Sequence, residues 1–168
     1  MKISILGAGS WGTALGQVLQ DNGLKVMIWH YNDSFVSEIN STYRHPSLPS
    51  VLLSNKIQFT SSIKNIIEYG ELLIVALPTQ SIRKVLLEFP SNYNKPVISV
   101  SKGIEINSGY RVGQIVLETL NTPLEDYIVL SGPTHAEEVA NRYPSAIVAA
   151  SINSKNAKMV QKLFSNNN

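Results

Sequence analysis

Three glycines spaced Gly7-x-Gly9-x-x-Gly12 stand between an apolar run, Ile3-Ser4-Ile5-Leu6, and a helical pattern that runs on through Thr13-Ala14-Leu15-Gly16. Such a spacing suits the diphosphate of a dinucleotide. The first glycine permits a tight turn, the second lets the diphosphate approach the backbone, and the third lets the helix lie close to the strand. The orphan N–H groups of that helix, with the positive end of its dipole, then face the anion. Three close glycines also make an ordinary turn, and it is the order of strand, turn and helix that points to a nucleotide site.

Three later segments follow apolar runs in the same way: Ala76-Leu77-Pro78-Thr79-Gln80, Ser101-Lys102-Gly103, and Ser131-Gly132-Pro133-Thr134-His135-Ala136-Glu137-Glu138-Val139. At the carboxyl ends of strands they would stand where ligands bind in open α/β sheets. Plainer readings stand beside these. Lys102-Gly103 could be a solvated strand end, since exposed lysine is the usual case. Gly132-Pro133 could be a turn before a helix with Thr134 as its N-cap, and Trp11 an aromatic lid on the first turn of its own helix. His135-Ala136-Glu137 superficially resembles a zinc deaminase element, but the chain has no cysteine to complete it. His30, His45 and His135 are too scattered to suggest a metal site, and Glu137 and Glu138 read as solvent-facing or helix-terminal charges.

Nucleotide choice turns on the end of the second strand, where a carboxylate would accept from a ribose 2′-OH and repel a 2′-phosphate. The chain offers Trp29-His30-Tyr31-Asn32 there, with Asp33 arriving later. His30 or Tyr31 could donate to a phosphate, with Arg44 as a second partner, which favours NADP slightly over NAD. Asp33 folding back would reverse that preference.

These groups need a scaffold of alternating strands and helices. After the first helix, Asn22-Gly23 is a stop, and Lys25 to Trp29 reads as the second strand. A long connection from His30 to about Asn55 holds Pro46 and Pro49, with a helix near Ser34 to Ile39, before a strand over Ile57 to Thr60. Leu72 to Ala76 and Val97 to Val100 read as buried central strands. Ser81 to Phe89 reads as a helix, as does the stretch with Val112, Ile115, Val116 and Leu120 on one stripe. Tyr127 to Leu130 and Ala146 to Ala150 are two further strands, with a short helix over about Thr134 to Asn141 between them. A last helix from Ser154 sets Ala157, Val160, Leu163 and Phe164 on one face, before the polar Asn166-Asn167-Asn168. The pattern predicts an α/β fold, a doubly wound and mostly parallel sheet of the Rossmann type, over residues 1–168 as a single domain.

Composition narrows the function. At 168 residues the chain fits one domain, which can bury roughly 70% of its unfolded surface. A formal net charge of +2, with 15% charged residues, makes no basic field for a nucleic-acid backbone. Without cysteine there are no disulfides or thiolate chemistry, and no apolar run approaches the ~18 to 20 residues that span a bilayer. These features predict a cytoplasmic protein without nucleic-acid or membrane partners.

Taken together and in order, the four segments closely resemble the N-terminal half of bacterial-type NAD(P)-dependent glycerol-3-phosphate dehydrogenase, from Lys2 to Phe164. The first motif alone belongs to a large dehydrogenase superfamily. The Lys-Gly after one strand and the Ser-Gly-Pro-Thr-x-Ala-x-Glu-Val after the next are far more specific. The resemblance implies hydride transfer between NAD(P)H and dihydroxyacetone phosphate, giving sn-glycerol 3-phosphate for phospholipid synthesis. By the same resemblance Ser10 and Trp11 contact the cofactor, Lys102 both cofactor and substrate, Gly132 and Thr134 the substrate, and Ala136 the cofactor through its backbone. Pro78 and Thr79 would flank the nicotinamide or the diphosphate. The family's general acid/base lysine, and an arginine that grips the substrate phosphate, belong to a helical C-terminal domain beyond Asn168. No catalytic residue is therefore expected in this chain, which should bind cofactor and turn over negligibly. A homodimer through the full-length protein is compatible with this reading. His135 stands where the family commonly has an aromatic such as Phe. Two other readings stay open: a stand-alone dinucleotide-binding or redox-sensing module, and another dehydrogenase of the same superfamily.

Overall fold

Parallel strands covered on both faces need apolar side chains at nearly every position, and the interior strands here have them. In the computed structural model, which describes residues 1–166, the fully buried Leu72-Leu73-Ile74-Val75 forms one such strand. The elements run β1 (Lys2–Leu6), α1 (Ser10–Asp21), β2 (Lys25–Trp29), α2 (Asp33–Thr42), β3 (Arg44–His45), β4 (Leu48–Leu52), β5 (Gln58–Thr60), α3 (Ile63–Tyr69), β6 (Leu72–Val75), α4 (Thr79–Leu86), β7 (Val97–Ser99), α5 (Val112–Leu120), β8 (Tyr127–Ser131), α6 (Ala136–Ala140), β9 (Val148–Ala150) and α7 (Ser154–Phe164). A 3₁₀ turn over Leu124–Asp126 precedes β8. Of the terminal asparagines, Asn167 and Asn168 lie outside the described residues.

Seven strands form one sheet in the order β5-β2-β1-β6-β7-β8-β9, and β3 pairs with β4 in a separate hairpin. Every ladder of the large sheet is parallel except β8 with β9. The doubly wound, mostly parallel sheet expected from the alternating pattern is thus present. From β1 the chain builds outward through β2 and β5, then returns to build the other way through β6, β7 and β8. The reversal opens a crevice between β1 and β6 at their carboxyl ends.

Side-chain alternation divides the interior into two cores. Ile3, Ile5, Ile74 and Ile98 pack with Leu15, Leu19 and Val160 on one face. Leu6, Leu73, Val75 and Val97 pack with Ile82, Leu86, Ile115 and Val116 on the other. Helix α1 packs against the sheet through Gly16, where an added Cβ would come 2.6 Å from the Ile28 Cδ1.

Three elements depart from the sequence reading. The segment before β6, unassigned there, forms α3, with Ser62 Oγ accepting from Asn65 N–H as its cap. The long connection after α2 folds into the β3–β4 hairpin, with Leu48, Val51 and Leu53 buried against the α1 core. Helix α4 starts at Thr79 rather than Ser81, because Pro78 occupies its N-cap and needs no N–H there.

Candidate functional site

The turn after β1 is shaped by backbone approach. Gly7 has φ +115°, and a Cβ there would lie 2.4 Å from the Ala76 carbonyl oxygen, so both the dihedral and the space demand glycine. At Gly12 a Cβ would meet the Gly7 carbonyl at 2.1 Å. Gly9 differs: its φ of −73° suits any residue, and nothing of the protein lies within 4 Å of its Cβ position. Its openness faces the cleft. Gly9 also caps α1 without a side chain, and the first turn of the helix carries no acidic residue, so its N–H groups and positive dipole end stay available to an anion.

Four strand ends converge on a cleft of about 650 Å³. Its walls come from Gly9 to Gly12 after β1, Ala76 to Pro78 after β6, Val100 to Lys102 after β7, Val129 to Gly132 at the end of β8, and Thr134 to Glu137 beyond it. All four segments singled out in the sequence therefore share one wall system. Of the residues read there as ligand contacts, Gly9, Ser10, Trp11, Gly12, Pro78, Lys102, Gly132, Thr134 and Ala136 line this cleft. Gly7 lies beneath it as the turn's hinge, while His30 and Tyr31 stand outside it at the tip of β2.

The turns after β6 and β7 are stitched together by side chains. Ser101 Oγ donates to the Leu77 carbonyl at 2.7 Å, and the buried Thr79 Oγ1 donates to the Lys102 carbonyl at 2.6 Å. Gln80 donates to the Ile104 carbonyl at 2.8 Å and accepts from Ile106 N–H at 3.0 Å. One helical turn further on, Arg83 grips the buried Glu105 through Nε at 3.0 Å and Nη2 at 2.9 Å, and reaches Glu118 on α5 at 3.0 Å. Ser108 Oγ also donates to Glu105. Hydrogen bonds from Arg83 first, then from Ser108, hold the Glu105 carboxyl below its ordinary range, and the bonds to Glu105 and Glu118 raise the Arg83 guanidinium. This strap leaves the Lys102 side chain exposed at the cleft with its backbone fixed. The sequence reading included Gln80 at the end of one segment without a role and did not single out Arg83 or Glu105, which lie 22 residues apart.

On the far wall, Gly132 is a packing requirement, since a Cβ would lie 2.5 Å from the Ala146 carbonyl. Thr134 is not the N-cap of α6. That position belongs to His135, which makes no side-chain cap, because the helix begins one residue later than the turn suggested. Among the described residues the enclosed Thr134 hydroxyl has no hydrogen-bond partner, on a residue that lines the cleft. Glu137 and Glu138 are exposed in the first turn of α6.

At the β2 tip, Tyr31 is 76% exposed, and its ring stacks 4.6 Å from that of His30. His30 lies 4.2 Å from the Phe35 ring, and its Nδ1 accepts from Asn32 N–H. Burial, with a smaller contribution from His45, holds the His30 imidazole below its ordinary 6.5, against the opposing Asn32 bond. Arg44 is exposed on β3, and Asp33 is the exposed first residue of α2. Among the described residues no group of three or more His, Asp or Glu could hold a metal ion, and no helix is long and apolar enough to cross a membrane.

The model of the family described as NAD-dependent glycerol-3-phosphate dehydrogenase N-terminus matches residues 2–157. The chain is 42% identical to the glycerol-3-phosphate dehydrogenase [NAD(P)+] of Bacillus subtilis, covering 99% of this chain and 50% of that protein. It is 40% identical to the protein of the same name from Listeria innocua, over 99% of this chain and 51% of the relative. Among solved structures, the glycerol-3-phosphate dehydrogenase of Coxiella burnetii superposes with a TM-score of 0.87 at 28% identity, covering 98% of this chain and 51% of that one. The chain thus spans about half the length of the relatives it matches. With the glycine turn, the strand-end cleft and these matches in agreement, the chain belongs to the family of NAD-dependent glycerol-3-phosphate dehydrogenase N-terminal domains.

Proposed function

We propose that this chain is the cofactor-binding half of an NAD(P)-dependent glycerol-3-phosphate dehydrogenase, which interconverts dihydroxyacetone phosphate and sn-glycerol 3-phosphate when a helical C-terminal domain completes it. The observation that carries the reading is the cleft at the β1/β6 reversal, with Gly9 open beneath it and the α1 N-terminus uncapped by any side chain. These features fit a diphosphate. Bound there, NAD(P)H would supply the hydride. The β1–α1 turn would hold the diphosphate through backbone N–H groups, with Ser10 and Trp11 beside it. Pro78 and Ala136 would line the nicotinamide end. Lys102 would bring an ammonium to the substrate oxygen on which negative charge develops, a role of the kind that is often large in catalysis. Thr134 would direct its unpartnered hydroxyl, and Gly132 its backbone, toward the substrate.

Support for a completing domain comes from the last strand and the turn after it, where Val148 is 66% and Ile152 69% exposed. Apolar groups so placed suit a covering surface. The general acid/base lysine and the phosphate-gripping arginine belong, on this reading, to that domain; lacking general acid/base catalysis alone lowers a rate by about 10² to 10⁴. The reading extends to a cytoplasmic enzyme with no nucleic-acid or membrane partner, and is compatible with a homodimer through the full-length protein.

For the cofactor we favour NADP slightly over NAD, because His30 and Tyr31, and not a carboxylate, directly follow β2, with Arg44 on β3 as a second phosphate partner. His30, held below its ordinary value by burial, brings a positive charge to a 2′-phosphate only on taking up a proton. The ratio of NADPH to NADH affinity therefore rises as pH falls from the neutral range toward the His30 value, and this rise is lost in His30→Ala.

Calorimetric titration of the 168-residue chain with NADPH and NADH, paired with an assay for oxidation dependent on dihydroxyacetone phosphate, tests the function. Binding without turnover is the expected result. Absence of binding overturns the nucleotide reading, and robust turnover overturns the assignment of the catalytic base to another domain.

A further inference from the structure

The β3–β4 hairpin carries a buried histidine that the cofactor reading does not use. His45 is 5% exposed, and both of its ring nitrogens are engaged. Ser47 N–H can only donate and lies 3.1 Å from Nδ1, so Nδ1 accepts. The Ala8 carbonyl can only accept and lies 2.9 Å from Nε2, so Nε2 carries the proton. One neutral tautomer satisfies both partners. The imidazole thus ties a hairpin outside the main sheet to the central residue of the Gly7-Ala8-Gly9 turn.

A trans peptide points its C=O and the following N–H in opposite directions. With the Ala8 oxygen drawn toward His45, the Gly9 N–H is turned away from the hairpin, and Gly9 borders the cleft. Among the described residues that N–H makes no hydrogen bond. The hairpin is itself anchored along α1, where Ser54 N–H donates to Gln17 Oε1 at 2.9 Å, and it is packed into the core through Leu48 and Val51. Phe35, edge-on to His45 at 5.6 Å, braces the ring from α2.

We propose that His45 is a positioning residue for the diphosphate of the bound nucleotide: by holding the Ala8 carbonyl it aims the Gly9 N–H into the cleft before ligand arrives. The inference rests on the dinucleotide reading above. A turn oriented in advance spends no binding free energy on ordering itself, so the effect falls on ligands that carry the diphosphate and spares those that lack it.

Three substitutions separate this role from simple packing. His45→Phe keeps a ring but loses both hydrogen bonds. His45→Asn keeps an acceptor for Ser47 N–H but is too short to reach Ala8. His45→Gln extends an amide N–H to the position of Nε2. The dissociation constant of the preferred dinucleotide, NADPH or NADH, rises about tenfold in His45→Phe and His45→Asn and returns toward wild type in His45→Gln. Adenosine, which has no phosphate, binds all four proteins alike in an NMR titration. Equal dinucleotide affinity in wild type and His45→Asn overturns the inference. So does a parallel loss of dinucleotide and adenosine affinity with a lowered unfolding midpoint, which would make His45 a packing residue. Wild-type protein that binds neither NADPH nor NADH overturns the dinucleotide reading, and this inference with it.

Discussion

In the Gly7–Gly12 turn close backbone approach is the main fastening, with the His45 ring on the Ala8 carbonyl beside it, whereas in the turn from Ser101 to Ile106, on the same cleft, side chains from a neighbouring helix hold the backbone. The first turn tolerates no Cβ at Gly7 or Gly12, since carbonyl oxygens stand 2.4 and 2.1 Å from where one would go. The second is strapped by Thr79, Gln80 and Arg83, all from α4. A fastening made of backbone fails all at once when a side chain is added. A fastening made of side chains fails by degrees, one partner at a time.

The largest effect should follow Gly12→Val. The Gly7 carbonyl cannot move aside without unseating the strand end, so we expect a loss of about 3 kcal/mol or more in denaturant unfolding, together with loss of nucleotide binding. A variant as stable as wild type would break the comparison. Gly9→Ser sharpens it within the same turn. Serine is a good N-cap and meets no protein atom there, so the unfolding midpoint should hold or rise. Its hydroxyl would occupy the N–H groups that a diphosphate needs, and calorimetry should show affinity lowered about tenfold or more.

Arg83→Met should act more gently on the other turn. It leaves the buried Glu105 without its guanidinium, lowers the unfolding midpoint, and speeds amide hydrogen exchange over residues 102–106 more than over Gly7 to Gly12. Equal exchange in both turns would show that the strap does not hold the loop. Acid should find the same weakness. Arg83 and Ser108 hold the Glu105 carboxyl below its ordinary 4.5, so its contribution is complete above that value and is lost as pH falls through the depressed one. Wild type should therefore lose stability below about pH 4.5 more steeply than Glu105→Gln. The smallest effect belongs to Thr79→Val, which removes one hydrogen bond to the Lys102 carbonyl and should cost about 1 kcal/mol.

How far the sequence could be read follows the range of the interactions involved. Leu72 to Val75 was legible as a central strand because a strand buried on both faces must be apolar throughout. Ile63, Ile66 and Ile67 have helical spacing, but α3 is only seven residues long, too short for the period to stand out. The β3–β4 hairpin was hidden because one of its strands has two residues and the connection around it holds two prolines. The site divides the same way. Its four cleft-lining segments could be found because each follows a strand and carries glycine, proline or lysine at the turn, whereas the strap could not, because Arg83 and Glu105 lie 22 residues apart.

The sequence by itself determined the alternation of strand and helix, the nucleotide-type turn and the four strand-end segments, because these depend on local periodicity and on the conformations that glycine and proline allow. Only the tertiary structure decided that Asp33 opens helix α2, that Thr134 stands before the α6 N-cap with its hydroxyl enclosed, that α4 holds the Lys102 backbone, and that a buried histidine from a side hairpin grips the Ala8 carbonyl. Hydrogen bonds and ion pairs between distant residues leave no period in a sequence; they exist only once the sheet has set the distances between its own strand ends.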